Sequence, residues 1–181
     1  MRVIAGEKRG TILVSPPNKD IRPTHDMVRE AIFGRLQFAI PQSRVLDLFA
    51  GSGALGIEAL SRGAAYAVFV DKSEAAIATV RANVQKTGYA EKCAIYKNGY
   101  EIALKMFHFG SKFDIVLLDP PYAGGLYEKA LAALDAAGLL NSGAVLVLES
   151  GEPLGPPPAP YTQTQAKKYG KTYVTYLEYK E

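Results

Sequence analysis

The chain has 181 residues, 48% of them hydrophobic, enough to bury one substantial core and too few to build two comfortable domains. No apolar run approaches the ~18 residues a membrane span needs, and the start MRVIAGEKRG lacks the apolar stretch of a secretory leader, so a soluble, cytoplasmic protein is expected. The net charge of +3 is matched by residues 1–35 alone, where Arg2, Lys8, Arg9, Lys19, Arg22, Arg29 and Arg35 stand against Glu7, Asp20, Asp26 and Glu30, and the single Cys93 excludes an internal disulfide and a cysteine-rich metal site.

Two short alternating runs, residues 2–5 and 11–14, flank a turn at residues 6–10 and predict a β-hairpin, so residues 1–20 are expected to form an arm and residues 21–181 the main domain. Such a basic arm suits a partner rich in phosphate, with solvated surface as the alternative reading. After the Pro-rich link SPPNKDIRPT, Val28, Ala31, Ile32 and Leu36 recur at helical spacing and predict an amphipathic helix over 26–38. Strands and helices then alternate: RVLDLF and a helix to Arg62, YAVFV and a helix over 73–86, CAIY and a helix over 101–107, FDIVLL and a helix over 126–137, and finally AVLVLES. This alternation predicts an α/β fold with a mostly parallel, doubly wound sheet. Ser73 is placed to cap one helix and Gly88 to stop it. Beyond the cluster PPPAP, two β-rich runs separated near Gly170 predict an antiparallel hairpin added to the sheet.

In such sheets ligands bind at the carboxyl ends of the strands. The first of these ends reads VLDLFAGSGALG, with Gly51, Gly53 and Gly56 in the spacing G-x-G-x-x-G, which lets backbone approach a ligand closely and turn into a helix N-terminus. Asp71 ends the second strand, where an acid accepts hydrogen bonds from ribose hydroxyls. Asp47 lies inside the first strand, where burial demands a partner. A carboxylate there does nothing for a pyrophosphate but attracts the ammonium of a methionyl group, which favours S-adenosylmethionine over a nicotinamide dinucleotide.

The fourth strand ends in Asp119-Pro120-Pro121-Tyr122. Two prolines donate no backbone hydrogen bond, so this stiff loop presents mainly acceptors, the Asp119 carboxylate and neighbouring carbonyls, together with an aromatic ring. Such a loop holds a planar exocyclic amine by its hydrogens while the Tyr122 ring stacks on the base. His25 reads as helix-start polarity, and His108 as a cation near a helix end. Arg29 and Glu30 read equally as substrate channel or as the wet face of their helix. Tyr173, Tyr176 and Tyr179 read as sheet packing, and Lys167 and Lys168 as candidate phosphate ligands.

The chain resembles the RsmD family of small-subunit ribosomal RNA guanine-N2 methyltransferases. The carrying segments are MRVIAGEKRG, RPTHDMVREAIFGRL, VLDLFAGSGALGIEALSRGA, LLDPPYAGGLYEKAL and KKYGKTYVTYLEY, the second being the most specific. The resemblance implies a Rossmann-like class I methyltransferase with a seven-stranded sheet that moves a methyl group from S-adenosylmethionine to N2 of a guanine in 16S ribosomal RNA, within a small subunit or its assembly intermediate. It implies a cofactor pocket of Asp47, Phe49, Ala50, Gly51, Ser52, Gly53, Gly56 and Lys72, with Asp71 on the ribose. Gly99 stands where the family often has an acid against the adenine amine, which leaves that role to Asn98 or a backbone group. Asp119, Pro120, Pro121 and Tyr122 would hold the guanine, and Arg2, Lys8, Arg9, Arg22, Thr24 and Arg29 would meet RNA or border the entrance. Three other readings use the same motifs: an adenine-N6 methyltransferase, a protein glutamine methyltransferase and a non-catalytic RNA-binding protein on the same fold.

Overall fold

The computed structural model describes residues 1–15, 23–107, 112–121 and 125–181. Arg22, His108 and Tyr122, and the boundary expected between residues 20 and 21, lie outside them. Pro23 opens α1 (Pro23–Arg35), as suits a residue whose missing N–H has no intrahelical partner at a first turn. The helix stops short of the expected end at residue 38, and Phe38 sits in the following turn with its side chain in solvent.

The predicted alternation then follows as β1 (Arg44–Asp47), α2 (Ala54–Ser61), β2 (Tyr66–Asp71), α3 (Glu74–Thr87), β3 (Cys93–Lys97), α4 (Tyr100–Met106), β4 (Phe113–Leu118), α5 (Leu126–Ala136) and β5 (Leu140–Ser150). The tail supplies β6 (Tyr161–Tyr169) and β7 (Thr172–Tyr179). All seven strands join one sheet in the order β3-β2-β1-β4-β5-β7-β6, parallel from β3 to β5, with β7 antiparallel to both β5 and β6. Valines, isoleucines and leucines fill the central strands because helices cover both faces. One core lies under α1, α2 and α3, and the other under α4 and α5.

Ser73 accepts from the amide of Ala76 and Gly88 closes α3, as read from the sequence. β5 begins four residues earlier than the hydrophobic run suggested. Asn141 accounts for part of this extension, since its side-chain amide donates to Asp114 at 2.7 Å and fastens a polar segment beside β4.

The N-terminal hairpin is present as a single bridge, Arg2 to Ile12, backed by hydrogen bonds from Val3 N–H to Thr11 and from Leu13 N–H to Met1. Val3 and Leu13 are buried in the same core as α1 and α2. Gly6 is the closest approach: a Cβ there would stand 1.8 Å from the Ser61 carbonyl oxygen, so any larger residue must push the turn off α2.

Two buried tyrosines tie this packing to pH. Burial pushes Tyr89 up to about 12, with the Glu7 carboxylate adding to the rise, and burial pushes Tyr176 to about 12 as well. The unfolded chain releases these protons near the ordinary value of 10, so the associated stability is fully present below pH 10 and is lost as pH rises through 12. Urea midpoints are therefore expected to fall between pH 9.5 and 11.5 (roughly spanning that window), and less steeply in Tyr89→Phe. Equal slopes in the two proteins would show that Tyr89 carries none of the effect.

Candidate active site

β1 ends at Asp47 and the chain turns through residues 48–53 into α2, with Gly51 and Gly53 at positive φ of 56° and 78°. α2 lies close on β2 because Gly56 has no side chain: a Cβ would meet the buried Phe69 ring at 2.3 Å. Asp47, 1% exposed, finds the partner that burial demands in the amide of Gly56, which donates to its Oδ2 at 3.0 Å. The carboxylate thereby fixes the start of α2. Asp71 takes the Gly51 amide on Oδ2 at 2.9 Å and the Ser73 amide on Oδ1 at 2.8 Å. A carboxylate has about four lone-pair sites, so Asp71 retains acceptor capacity toward a diol at this half-exposed position.

The sheet register lines up the other expected residues. Asp47 pairs with Leu117 on β4 and Phe69 on β2, Asp71 pairs with Lys97 on β3, and Leu118 pairs with Leu148 on β5. Continued past the ends of the strands, this register puts Asp71, Phe49, Asp119 and Glu149 in one row along the carboxyl edge. Asp119 is half-exposed, Pro120 buried and Pro121 exposed, so the stiff loop is anchored at its centre. Asn98 joins the row through its amide, which donates to the Asp71 carbonyl at 3.0 Å, while its side chain touches Met106 Sδ. Phe49 leans on Tyr100 with centroids 5.7 Å apart, and Ala50 is held by Val70. Lys72 is exposed beside Asp71. Tyr122 lies outside the described residues.

The structure fits the cofactor read from the sequence. The Gly51-Ser52-Gly53 backbone lies between Asp47, buried against the start of α2, and Asp71, whose half-exposed carboxylate suits a ribose diol. A separate small cavity of about 20 Å³, between Tyr127, Leu131, Leu148 and residues 154–158, shares no residue with this loop.

Of the residues expected to meet RNA, Arg2 and Arg9 are exposed and Lys8 half-exposed beside Glu7 at 3.2 Å. Thr24 lies in the first turn of α1, and Glu30 on that helix is exposed as a wet face requires. Arg29 is not: it is 4% exposed, donating from Nη2 to the Arg2 carbonyl at 2.5 Å and to Asp26 at 2.9 Å. Burial lowers its pKa, opposed by the carboxylates of Glu58, Asp26 and Glu149. The expected surface role of Arg29 is therefore corrected; its guanidinium joins the arm to α1 inside the fold.

Three residues that local pattern does not single out hold the arm in place. Glu58, wholly buried on α2, accepts from the amides of Ile4 and Ala5 and from Arg62 at 2.7–3.0 Å. Ser61 donates to the Ala5 carbonyl and accepts from the Lys8 amide. Asn83 on α3 is also wholly buried: it pairs with both the amide and the carbonyl of Val14, and its second N–H goes to the Ser52 carbonyl at 2.9 Å. One side chain thus links the arm to the glycine loop. The local signal is an acid on α2 and an amide on α3, each among the mostly apolar buried residues of its helix.

A family model described as conserved hypothetical protein 95 matches residues 1–178. Ribosomal RNA small subunit methyltransferase D of Escherichia coli K12 is 35% identical over 160 residues, covering 88% of this chain and 79% of that protein. The chain belongs to the RsmD family of methyltransferases. The Bacillus subtilis protein YlbH is 37% identical over 180 residues, covering 96% of each chain. The solved structure of yhhF from Escherichia coli superposes with a TM-score of 0.88 at 31% identity, covering 99% of this chain and 98% of that one. As an RsmD-family protein the chain has the class I methyltransferase fold and uses S-adenosylmethionine as its cofactor. Among the described residues no helix is long and apolar enough to cross a membrane.

Proposed function

We propose that this protein methylates the exocyclic N2 amine of a guanine in small-subunit (16S) ribosomal RNA. The observation that carries this reading is the placement of the acceptor-rich loop Asp119-Pro120-Pro121 at the end of β4, directly beside β1 and its glycine loop. S-adenosylmethionine, when bound, supplies an electrophilic methyl group. Asp47 would draw its ammonium toward the loop, Gly51, Ser52 and Gly53 would hold its methionyl part, Asp71 would take the ribose and Asn98 would lie near the adenine.

An exocyclic amine is a poor nucleophile because its lone pair is delocalised into the ring. The Asp119 carboxylate and a loop carbonyl accept its two hydrogens, which orients the nitrogen and stabilises positive charge as it develops there. Prolines lock those acceptors before substrate arrives, and Tyr122 stacks on the base, worth about 1–3 kcal/mol. The proton that leaves nitrogen passes to Asp119 or to water, so no tuned base is needed. Arg2, Lys8 and Arg9 on the docked arm supply cations for phosphates, and the family's named activity supports ribosomal RNA, met as part of a small subunit or its assembly intermediate.

The test is methyl transfer from labelled cofactor to small ribosomal subunits isolated from cells lacking the modification, with naked ribosomal RNA, DNA and protein substrates alongside, followed by nucleoside analysis. N2-methylguanine in the RNA is the expected product. Label in N6-methyladenine or in glutamine would move the protein to another amine methyltransferase class.

A further inference from the structure

We infer that the tip of the β6–β7 hairpin is a second RNA-binding surface, which grips phosphates flanking the target nucleotide on the side away from the cofactor. The inference rests on the RNA reading above but not on which base atom is methylated.

Register places this tip at the catalytic edge. Glu149 pairs with Val174 and Ser150, the last residue of β5, pairs with Tyr173; on the other side of β7, Val174 pairs with Lys167 and Tyr173 with Lys168. The row that runs through Asp71, Asp119 and Glu149 therefore continues to Val174 and ends at Lys167. With strands ~4.8 Å apart, Lys167 stands about 14 Å from Asp119 on one side, while Asp71 stands about 10 Å away on the other. The final pair, Tyr169 with Thr172, lies beyond the end of β5, so the turn at Gly170 and Lys171 projects past the sheet edge on which the reaction takes place. The arm docks on α2 and α3 and thus serves a different flank.

The chemistry of the tip suits a polyanion. Lys167, Lys168 and Lys171 are all exposed, and among the described residues none is ion-paired with a carboxylate. Two of them are held by aromatic rings: the Lys167 ammonium lies 5.3 Å from the centre of Tyr169 and that of Lys168 lies 5.2 Å from Tyr173. Lysine is normally a floppy point charge; a ring beneath it limits the entropy that must be given up when a phosphate arrives. Tyr169 and Tyr173 are half-exposed, whereas Tyr176 and Tyr179 further along β7 are buried as packing residues. The two aromatic roles separate along one hairpin, and the exposed pair lies at the end near the site. Three exposed cations and two accessible rings on a rigid projection match the combination that binds a single-stranded backbone.

The test compares the salt dependence of binding to unmodified 16S RNA for four proteins: wild type, the triple variant Lys167→Gln/Lys168→Gln/Lys171→Gln, an arm variant Arg2→Gln/Lys8→Gln/Arg9→Gln, and the two sets combined. Each phosphate that is no longer neutralised lowers the slope of log K against log salt by roughly 0.7 for single-stranded RNA, so the slope of the tip variant should be shallower by about 2. Cofactor affinity and melting temperature should be unchanged, because all three side chains point into water. The effects at the tip and the arm should add in the combined variant. A tip variant with the wild-type slope overturns the second surface while leaving the enzyme reading intact. A wild-type protein with no salt-dependent RNA binding overturns the RNA reading itself.

Discussion

Asp119→Ala is expected to lower the rate of methyl transfer by about 10²–10³-fold, the range seen when a positioned electrostatic group is removed from a reacting centre, while cofactor affinity stays within a few-fold. The reason is a division of labour along one row of the sheet. Asp119 follows β4, whereas the cofactor loop follows β1 and is held by Asp47, Asp71 and Asn83. Removing the carboxylate takes an acceptor from the amine and leaves those three hydrogen bonds intact. Asp119→Asn keeps one acceptor oxygen but removes the charge, so it should fall between alanine and wild type. Single-turnover rates with cofactor binding measured in parallel check this. Loss of cofactor binding in Asp119→Ala would refute the separation, and an unimpaired rate would remove Asp119 from the chemistry.

The largest stability effect is expected at Glu58. Its carboxylate, with no exposure, holds two backbone amides of the arm and the guanidinium of Arg62, whose side chain is only 17% exposed and whose guanidinium lies over Phe33. Glu58→Ala leaves two donors and a largely buried cation without their acceptor, and breaking a buried pair from one side costs about 3–5 kcal/mol. That is a large share of the roughly 5–15 kcal/mol by which domains of this kind are stable. Glu58→Gln, which retains one acceptor oxygen, should be destabilised less and remain folded. Urea unfolding gives the size of the effect, and hydrogen exchange gives its place: the amides of Ile4 and Ala5 should open far faster in Glu58→Gln than those of β1. If the alanine variant unfolds within about 1 kcal/mol of wild type, the worth of one ordinary hydrogen bond, the clamp is not what holds the arm.

The arm shows how far local pattern reaches. Its alternating runs and glycines are visible in sequence because a hairpin is a short-range object. What it docks against is not visible, because Glu58, Ser61 and Asn83 are 53 to 69 residues away from the backbone groups they satisfy. Polar side chains on helices read as solvent-facing unless the element that covers them is known. The surface reading of Arg29 fails for that reason: a basic residue on an amphipathic helix reads as surface until the Arg2 carbonyl arrives from the far side.

The sequence by itself determined the order of strands and helices, the capped helix from Ser73 to Gly88, the glycine loop and the two acids beside it, and the acceptor loop at Asp119. These features follow from periodicity, capping and backbone freedom over a few residues, which chain order alone encodes. Only the tertiary structure decided that β4 lies against β1, so that Asp119 and Asp47 share an edge, and that Asn83 joins the arm to the cofactor loop. It also placed Lys167 on β6 at the end of the same row as Asp119, with β1, β4, β5 and β7 between it and Asp71 on β2. Pairing between strands distant in sequence is chosen by the burial of both sheet faces at once, and no single segment contains that information.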